Sequence, residues 1–156
     1  MWEIERSSLK LIIFTILFGI YLAIISVCDI KTKKVSVFWL LVGFFIVGTY
    51  AALKLYIDRN MYASLDIILG MAPGAGLLLL AKATHKAGTA DGLVCLMTGV
   101  LFGFRESFCI LCIGLFISSV WCIFGLLVLR WNKDKEIPFL PFLFISYMMC
   151  GISYIR

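Results

Sequence analysis

Six apolar runs separated only by short polar turns constrain this chain more than any other feature. They extend over Leu9 to Cys28, Val37 to Ile57, Ile67 to Ala81, Gly92 to Phe104, Phe108 to Leu129 and Ile137 to Ile155. The hydrocarbon of a bilayer takes about 20 helical residues to cross, so the first, second, fifth and sixth runs are expected to be spans of ordinary length. The third and fourth are short. Gly92 to Phe104 supplies only about 20 Å of helix and needs local thinning of the bilayer or extension into its polar flanks. All six are continuously apolar, whereas the strands of a membrane barrel alternate lipid-facing and lumen-facing residues, so helices are expected. With 63% hydrophobic residues and a mean hydropathy of +1.07, the chain lies far from the balance of a soluble domain. The expected fold is all-α: a polytopic membrane protein with about six transmembrane helices. No polar stretch is long enough to fold separately, so residues 1–156 are expected to form a single membrane-embedded domain. The first run has no small-residue cleavage pattern and is long for a signal peptide, which makes a retained helix the expectation.

Lys and Arg in the short loops give the orientation. Lys31, Lys33, Lys34, Lys82, Lys86, Arg130, Lys133 and Lys135 collect on one side, with the densest cluster directly after the first helix. The first, third and fifth loops are therefore expected in the cytoplasm and the N-terminus outside. This topology signal and anionic lipid account for the net charge of +5, so the charge gives no reason to expect a nucleic-acid partner.

Two carboxylates stand out against this background, because an ionisable group at a membrane boundary is costly and is a functional candidate by default. Asp29 closes the first run and Asp91 opens the fourth. Two spans separate them, and an even number returns the chain to the same face. By the same parity Asp58, Asp66 and Glu106 fall on the opposite face. Asp134 and Glu136 share the face of the pair but sit among Arg130, Lys133 and Lys135, as a solvated charge run does. Each candidate also has a plainer reading. Asp91, after Gly88-Thr89-Ala90, would serve as a helix cap. Asp29 would serve as a boundary charge paired with a neighbouring lysine, although a helix C-terminus disfavours negative charge.

The surroundings of the two Asps carry a resemblance. Asp29-Ile30-Lys31-Thr32-Lys33-Lys34-Val35-Ser36 resembles the segment of type IV prepilin peptidases in which Asp precedes a basic stretch and then Ile-Pro-Asn. Gly88-Thr89-Ala90-Asp91 is similar to that family's Gly-x-Gly-Asp motif, in the form with Ala at the third place. Glu136-Ile137-Pro138-Phe139-Leu140-Pro141-Phe142 resembles the family's Ile-Pro-Phe-x-Pro-Phe segment at the start of the last helix. The three fall in the family's order over nearly the whole chain. Ser36 and Val37 depart from the usual Pro-Asn, and Leu93 stands where many members have Lys. The first loop, Ile30 to Ser36, has no cysteine-rich zinc region. The resemblance thus implies the short, peptidase-only form, with no metal and no cofactor.

On this resemblance the expected activity is a membrane aspartyl endopeptidase of the plasma or inner membrane. It would cut the leader of type IV pilin-like precursors at the cytoplasmic face, with Asp29 and Asp91 as catalytic residues. Peptide hydrolysis needs a base to activate water and an acid to protonate the carbonyl oxygen or leaving nitrogen, and two carboxylates sharing one proton supply both. Helix-dipole arguments make Asp91 the expected resting base and Asp29 the expected holder of the proton. Gly88 and Ala90 would let the substrate strand pass close to the backbone, although an ordinary loop before a helix would look the same. Lys31, Lys33, Lys34 and Lys86 would attract an acidic residue of the mature N-terminus, and positive-inside topology explains them equally well.

Two other function classes remain open at this level. Cys109-Ile110-Leu111-Cys112 has redox-motif spacing, which suits a membrane thiol oxidoreductase using Cys109 and Cys112. Six cysteines spread over apolar runs also read as small buried hydrophobes. A non-catalytic component of pilus or secretion assembly would keep the same fold. Gly70 to Gly76 reads as small-residue helix packing around Pro73. His85 is a lone loop histidine with no ligand-spaced partners.

Overall fold

A computed structural model describes residues 2–32, 35–58, 61–84, 88–128 and 138–155, and among them every regular element is a helix. The elements are α1 (Trp2–Thr32), α2 (Val37–Asp58), α3 (Met61–Gly70), α4 (Ala72–Thr84), α5 (Thr89–Phe102), α6 (Phe104–Leu127) and α7 (Leu140–Ile155). Four stretches are long and apolar enough to cross a membrane: Ile12–Thr32, Val37–Tyr56, Ser64–Ala83 and Phe104–Leu127. With the two shorter apolar helices α5 and α7, this matches an all-α membrane protein of six hydrophobic passes.

Two length expectations change. The third run is not short, because α3 and α4 follow one another with a break of one residue at Met71 and together make the 20-residue stretch Ser64–Ala83. Pro73, in the first turn of α4, lacks an N–H and so breaks the ladder there rather than inside either helix. Its neighbours remain bonded: Met71 donates to the carbonyls of Ile67 and Ile68, and Ala75 donates to that of Met71. The sixth run is shorter than its apolar length suggests, because α7 begins only at Leu140, after Pro138 and Phe139.

The short fourth run is confirmed, and packing explains how it is tolerated. α5 is 14 residues, about 21 Å. It packs against α2, α3, α4 and α6, and Gly92, Val94, Cys95 and the whole stretch from Met97 to Phe102 are buried. A largely apolar helix buried in this way belongs inside a bundle, where its C-terminal end meets protein rather than lipid. The long helices α2 and α6 instead leave Phe38, Phe45, Phe116 and Leu127 exposed, as lipid-facing surfaces require.

Glycines set how closely α3 and α4 approach α5. A methyl group on Gly70 would strike the backbone of Gly99, and one on Gly74 would strike the backbone of Leu96. The small-residue reading of Gly70 to Gly76 thus holds at Gly70 and Gly74, where the two backbones touch. Elsewhere the core is made of large side chains: Phe18, Tyr21, Leu22 and Ile25 of α1 meet Val47, Tyr50, Val94, Met97, Leu143 and Tyr147. The Tyr147 hydroxyl donates to the Thr15 carbonyl at 2.8 Å and joins α7 to α1. Trp39 is half-buried against this core, and its carbonyl accepts from the Tyr21 hydroxyl.

Candidate active site

Three helix ends meet at one end of the bundle. Asp29 lies one turn before the C-terminus of α1, Asp91 lies in the first turn of α5, and α7 begins at Leu140. The level of the first two follows from a contact deeper in the core, where the Tyr21 hydroxyl reaches the Met97 sulfur. From that level Asp29 is eight residues toward the end of α1 and Asp91 six residues toward the start of α5, about 12 and 9 Å along antiparallel helices. The sequence expectation that the two share a face holds. Their carboxylates are near enough for Asp29 to act electrostatically on Asp91.

Asp29 is buried, with 7% of its surface exposed. Its Oδ2 accepts a hydrogen bond from the Leu140 N–H at 3.4 Å. That contact accounts for a charge that α1 disfavours: the carboxylate sits at the negative end of its own helix but against the positive end of α7. The plainer reading of Asp29, pairing with a lysine, finds no ion pair among the described residues. Lys31, two residues on, is exposed in the last turn of α1.

Asp91 is not the cap of α5. Gly88 holds the N-cap position with extended backbone, no side chain caps the helix, and the Asp91 N–H donates to the Gly88 carbonyl at 3.2 Å. The Asp91 carboxylate instead folds back over Gly88, so that a methyl group there would come within 2.9 Å of Oδ2. A side chain at position 88 would therefore displace the Asp91 carboxylate. Ala90 is half-buried and Leu93 likewise.

Burial acts against the helix-dipole expectation at Asp91. Asp91, ahead of the apolar stretch of its helix and outside the four long spans, has its carboxyl pushed up to about 7, first by burial and then by the neighbouring Asp29. A helix N-terminus stabilises a negative charge by about 0.3–1 kcal/mol, less than the 1.36 kcal/mol of one pKa unit. Burial of a carboxyl moves it by several units, so burial decides. Asp91 is thus suited to hold the shared proton at neutral pH. Asp29 is the more deeply buried of the two and has a backbone N–H directed at it.

Of the other expected site residues, Lys33, Lys34 and Lys86 lie outside the described residues, as do His85, Asp134 and Glu136. Cys109 and Cys112 are both exposed on α6, toward its start at Gly103, which is the end of α5 opposite Asp91. Sequence reasoning missed the Leu140 N–H as a site group. Its segment was noted, but no side chain at position 140 signals a role for the backbone. Comparison of the chain with protein-family models, with curated proteins and with solved structures finds no match.

Proposed function

We propose that this chain is a membrane aspartyl endopeptidase that removes the leader peptide of type IV pilin-like precursors at the cytoplasmic face of the plasma or inner membrane. The single observation that carries the reading is the meeting of Asp29 and Asp91 at one end of the bundle, electrostatically coupled and without an ion-pair partner among the described residues. All three motif segments that resemble prepilin peptidases contribute to that meeting: the first through Asp29, the second through Gly88 and Asp91, the third through Leu140.

In this mechanism Asp29 takes a proton from water as the oxygen adds to the scissile carbonyl carbon. Asp91 gives its proton to the carbonyl oxygen. The tetrahedral gem-diol collapses as the C–N bond breaks: the proton now on Asp29 passes to the leaving nitrogen, Asp91 takes one back from a diol hydroxyl, and the pair returns to one shared proton. The site lies where helices end, so water reaches it without crossing hydrocarbon. Lys31, exposed two residues beyond Asp29, would attract an acidic residue at the mature N-terminus.

Co-expression with a panel of pilin-like precursors tests the reading. The wild type is expected to shorten at least one precursor by its leader, and Asp29→Asn or Asp91→Asn to leave it full length. A wild type that shortens none of them, or an Asn variant that still does, overturns the mechanism.

A further inference from the structure

The hydrogen bond from α7 to Asp29 joins residues 111 apart in the chain, and the local chemistry leaves it to one donor. The first N–H groups of a helix have no partners within it. In α7 the Phe139 carbonyl accepts from the N–H groups of Phe142, at 3.0 Å, and Leu143, at 3.2 Å, which makes Phe139 the N-cap. Pro141 has no N–H. Leu140 therefore supplies the one outward backbone donor of this first turn, and it is aimed at Asp29 Oδ2. The donor is held firmly: the Leu140 side chain is 0% exposed, as is that of Leu143 one turn on, and a methyl group on Gly114 of α6 would rest against the Leu143 backbone. At 3.4 Å the bond is long, as catalytic hydrogen bonds are in substrate-free sites, where they tighten only on substrate.

We propose that the Leu140 N–H is a positioning group for the aspartyl pair: α7, locked by its buried first turn, holds one oxygen of Asp29 and leaves the other to take the proton of the attacking water. The proposal rests on the peptidase reading. It gives the Pro138-Phe139-Leu140-Pro141-Phe142 segment a physical role: one proline removes a competing donor, and the buried leucine anchors the donor that remains.

The test is a backbone ester. Replacing Leu140 with its α-hydroxy analogue, leucic acid, by nonsense suppression removes the N–H and keeps the side chain. The same replacement at Leu143, whose N–H bonds Phe139 rather than Asp29, is the matched control for disturbing the first turn. With a cleaved precursor, the ester at 140 is expected to lower kcat by about 10- to 100-fold, the scale of misplacing a reacting group by an ångström. KM should stay within about twofold, and the ester at 143 should leave kcat near wild type. Equal kcat losses in the two esters, or no loss at 140, would overturn the proposal. A second readout needs no substrate: the infrared band of the Asp29 carboxyl in carbon-13 aspartate-labelled protein, isolated by subtracting the Asp29→Asn spectrum, should shift in the ester at 140 alone. An unmoved band overturns the positioning bond whatever the wild type cleaves. A shifted band in a wild type that cleaves nothing upholds the bond and overturns the peptidase reading alone.

Discussion

The two ends of α5 hold acidic groups under opposite conditions. At its C-terminal end, Asp66 of α3 lies against Gly103 and pairs with Lys54 of α2 at 2.7 Å, with Asp66 about half open to solvent. At its N-terminal end, Asp29 acts electrostatically on Asp91, and among the described residues no cation pairs with either. The first arrangement is what a fold does with a charge it has no use for: it neutralises it at the rim and ties two helices together. The second keeps two acids close in a partly dry place, which costs stability and is the arrangement that functional sites favour.

The sharpest break in this comparison is to neutralise one acid at each end. Asp29→Asn and Asp91→Asn are each expected to lower cleavage by about a thousandfold or more, the scale of losing an essential acid or base. Asp66→Asn should stay within about threefold of wild type in the same assay. A comparable loss at Asp66 would erase the distinction between the two ends. Next in size is Gly88→Ala, whose methyl group would push on the Asp91 carboxylate. It is expected to cost about 10- to 100-fold in kcat, again the scale of a displaced reacting group, with the fold retained.

A pH profile sharpens the comparison further. Because the Asp91 carboxyl is raised to about 7, it keeps its proton below that value and loses it above, so cleavage should decline as pH rises through about 7. The neighbouring Asp29 charge is the second cause of that shift. Carboxyl-resolved infrared of Asp29→Asn should therefore show Asp91 titrating lower than in the wild type, while Asp66→Asn leaves it in place. The smallest effect belongs to the rim. Removing the exposed Lys54–Asp66 pair by Lys54→Met should change stability by about 1 kcal/mol or less, measured by thermal unfolding in detergent.

Much of this was legible in the sequence, for identifiable reasons. Continuous apolar runs dictate helices in a bilayer, and counting them places Asp29 and Asp91 at one end and Asp66 at the other. Gly70 and Gly74 announced a close helix approach. What the sequence hid depends on contacts between distant segments. Burial raises the Asp91 carboxyl against the pull of its helix dipole, a result of packing around α5 that no local pattern encodes. The start of α7 moved from Ile137 to Leu140 because Phe139 serves as its N-cap, and the donor this leaves is a backbone group without a side-chain signature.

The most direct measurement of the central claim, that Asp29 and Asp91 act as one acid–base unit, is single-turnover cleavage by the purified chain in lipid vesicles. Wild type, Asp29→Asn, Asp91→Asn and the double variant would be compared on one precursor. If the pair works as a unit, each single variant falls to the same baseline as the double variant. Losses that multiply, or measurable leader removal by either single variant, would contradict the account.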